Sequence, residues 1–156
     1  MVVSSGSQSA PGRILALDVG ERRIGVAITD PLGVIAQPLD TIERTGNRAA
    51  VERVLEVARS YAVSEIVVGI PYKADGELSA QGQKIARFAD MLARSSEAPV
   101  VRWDERSTTA TAERVLLEAD MSRAGRKQVR DKMAAAVLLR YYLEARERRG
   151  EDENDG

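Results

Sequence analysis

The stretch RILALDVGERRIGVAITD, residues 13–30, decides the fold. It begins with a continuous apolar run at 14–17, as expected of a central strand that is buried on both faces. Asp18 ends that run, and Gly20 supplies the backbone freedom that a turn needs. Residues 24–29 resume as a strand, one face of which carries only small side chains. The stretch therefore predicts a hairpin of two strands with one carboxylate beside its turn.

Asp18 has two interpretations. A carboxylate at the end of a buried strand is partly desolvated, which costs free energy unless a cation or several hydrogen-bond donors face it. In the first interpretation Asp18 accepts hydrogen bonds from the turn around Gly20, as in an Asx-turn. In the second it is a metal ligand or a general base, which requires further carboxylates with matching placement elsewhere in the chain. The hairpin alone leaves both open.

Composition narrows the chemistry. The 156 residues suffice for one domain with a substantial core. The chain has no cysteine and no histidine, which removes disulfides, thiolate metal sites and the most frequent general base. A hydrolase of this composition is expected to use carboxylates with a hard cation. The sequence shows no signal peptide and no apolar run long enough to span a bilayer, so we expect a soluble, cytoplasmic protein.

Charge is unevenly distributed along the chain. The net charge is −1, yet residues 1–150 hold 23 basic and 20 acidic side chains because the tail EDENDG is acidic. A basic cluster precedes and opens the last predicted helix: Arg123, Arg126, Lys127, Arg130 and Lys132. Such a cluster can hold phosphates, and it is equally typical of a solvated loop and helix start.

The remaining elements follow from periodicity and turn signals. Residues 1–12 are polar and Ser-rich and are expected to be disordered, as is the acidic tail at 149–156. A type I turn at Asp30–Gly33 predicts a third antiparallel strand. The expected order after that turn is a strand at 34–39, a helix capped within 45–47, a strand at 65–70, a helix at 79–95, a buried strand at 99–103 and a helix at 128–148.

Acidic residues lie at an end of two of these later elements. Asp104 and Glu105 end the strand at 99–103, where open α/β sheets place their sites. Strand alternation puts Glu105 on the face of Trp103 and Asp104 on the other, so only one of the pair can face a common centre. Asp131 opens the inward stripe of the last helix in its predicted first turn. Each acid also has a structural interpretation. Asp104 and Glu105 can form ion pairs with neighbouring arginines, and Asp131 can occupy a position that is favourable to the helix dipole.

Four segments resemble a known family. LALDVGERRIGVAITD, VVGIP, VRWDERSTT and VRDKMAAAVLL are similar to the signature segments of the YqgF/RuvX family, whose members are described as pre-16S rRNA nucleases and as Holliday-junction-resolvase-like proteins. The resemblance covers roughly residues 13–144. It implies an α/β fold of the ribonuclease H-like superfamily within residues 13–148: a five-stranded mixed sheet, three antiparallel strands followed by two parallel ones, flanked by helices.

The resemblance also implies a site. Its catalytic carboxylates map onto Asp18, Glu105 and Asp131, and Asp104 is a fourth candidate metal ligand. They imply two Mg²⁺ or Mn²⁺ ions, with Asp18 bridging both, Glu105 holding one and Asp131 the other. The candidate substrate-binding residues are Arg22, Arg23, Lys73, Arg123, Arg126, Lys127 and Arg130.

The function that the resemblance implies is metal-dependent hydrolysis of structured RNA at the 5′ end of pre-16S rRNA, by a monomer or weak homodimer without a membrane partner. Cleavage of branched DNA by a Holliday junction resolvase is the alternative within nucleases, and a non-catalytic RNA-binding role in ribosome assembly or transcription is the alternative of another class. The turn at 18–20 also resembles the phosphate-binding hairpin of actin and the sugar kinases, but that fold needs a second lobe that the chain is too short to supply.

Overall fold

The computed structural model of the protein describes residues 12–105, 116 and 127–155. Its strands are β1 (Ile14–Val19), β2 (Arg23–Thr29), β3 (Ala36–Glu43), β4 (Glu65–Ile70) and β5 (Val100–Asp104). The helices whose bounds it describes are α1 (Asn47–Ser60), α2 (Ala80–Ser95) and α3 (Lys127–Asp155). None of the helices in this part of the chain is both long and apolar enough to cross a membrane.

All five strands form one mixed sheet in the order β3-β2-β1-β4-β5. The pairs β1–β2 and β2–β3 are antiparallel, whereas β1–β4 and β4–β5 are parallel. The predicted α/β fold, with three antiparallel strands followed by two parallel ones, is therefore confirmed.

The sheet separates two apolar clusters. One lies on the face covered by α1 and α2 and includes Leu15, Leu17, Ile66, Val68, Ile70 and Phe88. The other lies under α3 and includes Ala16, Ala27, Val67, Trp103, Leu138 and Tyr142. The central strand β1 contributes to both clusters, as predicted from its continuous apolar run.

The third strand begins later than predicted. The turn at Asp30 forms as expected, since the Gly33 amide donates to the Asp30 carbonyl at 2.9 Å. The Asp30 carboxylate then accepts the amides of Val34 and Ile35, both at 2.7 Å. Because these residues are bonded within the loop, they do not pair with β2, and the strand starts at Ala36 rather than at 34.

Other local expectations were also wrong. No side chain caps α1, whose N-cap is Gly46. The strand β5 is an edge of the sheet, so it is only partly buried rather than buried. The helix α3 runs to Asp155, beyond the predicted end at 148, and the sequence from there up to that residue contains no proline to end the helix.

Candidate active site

One row of residues crosses the three central strands where β1 ends. Gly25 of β2 is the register partner of Asp18. On the other side of β1, the last parallel pair with β4 is Leu17–Val68, and Gly69 is the next residue of β4. Residues in register on neighbouring strands point to the same face of a sheet. For Asp18 this is the face under α3, because Ala16, two positions earlier, packs in the cluster beneath that helix.

The two glycines let other parts of the chain approach the sheet beside Asp18. A Cβ on Gly25 would overlap the backbone carbonyl oxygen of Asp131 in α3. A Cβ on Gly69 would overlap the carboxylate of Glu105 and the side chain of Leu138. Neighbouring strands lie about 4.8 Å apart. Asp131 and Glu105 therefore lie over the strands on either side of Asp18.

The structure separates the adjacent acids at the end of β5. Glu105 is 5% exposed and lies over Gly69, on the same face as Asp18. Asp104 is in register with Ile70, whose side chain lies in the cluster on the opposite face. The predicted alternation is confirmed, and only Glu105 of the pair belongs to the face that carries Asp18 and Asp131.

Asp131 is held between two arginines. Its Oδ2 accepts a hydrogen bond from Arg23 Nε at 2.7 Å, and its Oδ1 accepts from Arg130 Nη2 at 3.3 Å. Since α3 begins at Lys127, the first turn of the helix contains no acidic residue. The helix dipole acts mainly within the first turn, so the dipole interpretation of Asp131 was wrong. Its carboxylate is paired by side chains instead.

Arg44 braces the turn after Asp18, a role that the sequence did not predict. Its Nη1 donates to the Gly20 carbonyl at 2.8 Å, and its Nη2 donates to Asn47 at 2.9 Å. Its guanidinium also lies 5.5 Å from the ring centre of Phe88. A single arginine between a strand and a helix gives no sequence signal, because the contacts depend on how α2 packs against that turn.

The donor set fits a hard divalent cation. Asp18, Glu105 and Asp131 offer carboxylate oxygens on one face, and Mg²⁺ and Mn²⁺ favour such ligands. In the part of the chain that the structure describes, however, no group of three acidic side chains is arranged to hold a metal ion. Carboxylates crowded together without a cation repel one another, and Asp131 is paired with arginines here. A cation bound at Asp131 would therefore compete with Arg23 and Arg130 for its carboxylate.

The structure brings several predicted phosphate contacts to this end of the sheet. Arg22 is exposed in the β1–β2 turn, and Lys73 is 52% exposed in the loop after β4, where it lies 4.0 Å from Asp75. Arg22 follows β1 and Lys73 follows β4. Because these two strands are parallel, both basic residues lie near the end of β1 that carries Asp18. Of the predicted basic cluster, Arg123, Arg126 and the side chain of Lys127 lie outside the described residues.

Comparison with known proteins gives a consistent result. The family model described as "RuvX: Holliday junction resolvase" matches residues 12–145. A relative from Thermoanaerobacter pseudethanolicus, named "Putative pre-16S rRNA nuclease", is 48% identical over 134 residues, which cover 85% of this chain and 96% of the relative. A relative from Pelotomaculum thermopropionicum with the same name is 47% identical over 137 residues, which cover 87% of this chain and 89% of the relative.

Among solved structures, T. thermophilus RuvC in complex with a Holliday junction substrate is similar with a TM-score of 0.54. The sequences are 17% identical, and the alignment covers 86% of this chain and 95% of RuvC. A likeness at this level of identity establishes the shared fold alone.

Proposed function

Because the chain belongs to the RuvX family of Holliday junction resolvases, we propose that it is a nuclease that uses Mg²⁺ or Mn²⁺ to hydrolyse phosphodiester bonds in the 5′ region of pre-16S rRNA. The substrate follows the name that its relatives carry. The single observation that supports the chemistry best is the pair of glycines that flank Asp18 on the neighbouring strands. Because they have no side chain, Asp131 can approach the sheet over Gly25 and Glu105 can approach it over Gly69.

Asp18, Glu105 and Asp131 would hold the cation. Two divalent cations held there would lower the pKa of an attacking water and stabilise the leaving oxygen. The chain's own contribution is placement: Gly25 and Gly69 admit the flanking acids, and Arg44 fixes the turn that follows Asp18. No histidine is needed for this chemistry, in keeping with the composition.

Basic side chains around this end of the sheet would bind the nucleic-acid backbone. Arg22 and Lys73 are exposed on the same rim as the acids, and Arg130 lies beside Asp131. Arg123, Arg126 and Lys127 are proposed to extend this rim. Contacts of this kind position a phosphate backbone without reading its sequence.

A cleavage panel tests the proposal. Wild type, Glu105→Gln and Asp104→Asn are compared on a labelled 5′-extended 16S rRNA fragment in Mn²⁺ and in EDTA. We expect wild type to cut only with Mn²⁺, Glu105→Gln to lose cleavage, and Asp104→Asn, the neighbour on the opposite face, to keep most of it. Cleavage in EDTA, or a loss with Asp104→Asn but not with Glu105→Gln, would contradict the proposed site.

Junction cleavage is the second candidate, and the description of the matching family model favours it. A four-way DNA junction in the same panel decides the substrate. A resolvase needs two symmetry-related sites to cut opposing strands, so a monomer at the assay concentration would count against junction resolution. Binding of the RNA without any cleavage would instead favour the non-catalytic role.

A further inference from the structure

Arg23 is the closest cationic partner of Asp131 among the described residues. The Nε–Oδ2 distance is 2.7 Å, compared with 3.3 Å for Arg130 Nη2 to Oδ1. The side chains of Arg23 and Asp131 are only 19% and 17% exposed. An ion pair shielded to this degree and with this geometry is more strongly coupled than the usual surface pair.

The backbone positions of Arg23 and Asp131, and not only their flexible side chains, bring this ion pair together. Arg23 opens β2, and its carbonyl accepts the Gly20 amide at 2.9 Å. Two residues along the same strand, Gly25 lies directly against the Asp131 backbone. Arg23 and Gly25 point to the same face because they are two positions apart. The guanidinium is therefore built into the face that carries the three acids.

We propose that Arg23 and a divalent cation compete for the Asp131 carboxylate. In the metal-free protein Arg23 is the counter-ion of Asp131; when a cation binds, Arg23 leaves the carboxylate and pairs with a phosphate of the nucleic acid. This inference rests on the proposed function, since it assumes that Asp131 is a cation ligand.

Electrostatics supports an exchange. A cation held by Asp131 would compete with Arg23 for the negative charge of the carboxylate and would repel the guanidinium at short range. The incoming phosphate supplies a new partner, and its oxygens match the fork of an arginine. Each positive charge then has a negative partner before and after the exchange.

The test measures Mn²⁺ affinity directly, by electron paramagnetic resonance without nucleic acid. Removing the competitor in Arg23→Gln should tighten Mn²⁺ binding by about tenfold, the scale of one charged hydrogen bond. Arg53→Gln is the matched control, because Arg53 also pairs with acids but is 52% exposed on α1; its Mn²⁺ affinity should equal that of wild type. In an Asp131→Asn background, Arg23→Gln should give no further gain.

A second measurement follows the released side chain. Binding of a cleavage-resistant phosphorothioate RNA is measured with and without Mn²⁺. Arg23→Gln should weaken binding and reduce the salt slope by about one unit with Mn²⁺ present, and should change neither in EDTA. Arg23→Lys, which keeps the charge but not the Nε bond, should fall between wild type and Arg23→Gln and covers the case in which Arg23→Gln is poorly folded.

The outcomes distinguish failure of the proposed exchange from failure of the proposed function. If wild type binds Mn²⁺ and cuts RNA but Arg23→Gln and Arg23→Lys bind Mn²⁺ no more tightly, the exchange is wrong and Arg23 only ties β2 to α3. If wild type neither binds Mn²⁺ nor cuts, the proposed function fails together with the exchange.

Discussion

The two faces of the sheet are built from different side chains, although every strand contributes to both. Along β1, Leu15 and Leu17 enter the cluster under α1 and α2, whereas Ala16 and Asp18 face α3. Bulky aliphatic residues fill the first face, and small residues and acids occupy the end of the second. The period-2 alternation of a strand thus lets one segment stabilise the fold and present a site. Burial on the first face offsets the cost of holding charges on the second.

The largest change in stability is expected on the aliphatic face. Leu17→Ala removes a fully buried side chain next to Asp18 and should lower the free energy of unfolding by about 3 kcal/mol. Cleavage per folded molecule should stay close to wild type, because Leu17 points away from the acids. Denaturant unfolding and the cleavage rate are measured on the same preparation. If cleavage fell by more than the unfolded fraction explains, the aliphatic face would contribute to activity, and the proposed separation of roles between the two faces would be wrong.

On the face under α3, adding a side chain at Gly25 should affect both stability and activity. A Cβ there overlaps the Asp131 carbonyl, so Gly25→Ala should displace α3, cost about 2 kcal/mol and abolish cleavage. Gly150→Ala is the control: nothing lies within 4 Å of its added Cβ, and alanine in a helix should be neutral or stabilise by up to about 1 kcal/mol. Wild-type cleavage by Gly25→Ala would show that the close approach of α3 is unnecessary.

Tyr142 lies on the face under α3, but away from the candidate site at Asp18. Burial raises the pKa of Tyr142 to about 12, and its hydroxyl donates to Glu65 at 2.6 Å. A raised folded-state pKa gives stability that is present below the ordinary value of 10.0 and is lost as pH rises toward 12. Wild type should therefore lose about 1 kcal/mol over this range relative to Tyr142→Phe.

Denaturant midpoints of the two proteins between these pH values provide the measurement. Glu65 begins β4, at the end of the sheet opposite Asp18, so Tyr142→Phe should cut RNA normally at neutral pH. Parallel pH curves for the two proteins would refute the assignment of the shift to Tyr142.

The smallest effect is expected at the β2–β3 turn, outside both faces. The amides of Ile35 and Val34 lower the pKa of Asp30 below its ordinary 3.8, so its contribution is present above that value and is lost as pH falls through the lowered pKa. Asp30→Asn should slightly lower the melting temperature at neutral pH, and the difference should vanish in acid. A difference that persists at low pH would point to a cause other than the carboxylate.

Local patterns were sufficient to predict the order of the strands and helices and the faces on which some candidate site residues lie. The apolar run of β1, the small face of β2 and the alternation that puts Glu105 and Asp104 on opposite faces are properties of single segments, and all are present in the structure. The start of β3 was missed because the Asp30 carboxylate competes for amides that the strand would otherwise use.

Long-range packing accounts for what could not be predicted. Arg23 and Asp131 are 108 residues apart in the chain, and they meet only because α3 docks on Gly25. The small face of β2 indicated that something packs closely there, but not which residue. Arg44 likewise depends on the relative position of a turn and two helices.

The most direct test of the central claim compares Asp18→Asn with wild type and Leu17→Ala for Mn²⁺-dependent cleavage of the 5′-extended 16S rRNA fragment, normalised to the folded fraction. We expect that Asp18→Asn unfolds much like wild type and cuts at least about a hundredfold more slowly, a loss of roughly 3 kcal/mol in transition-state stabilisation. Cleavage by Asp18→Asn at the wild-type rate would show that this acid only braces its turn and that the face under α3 is not the active site.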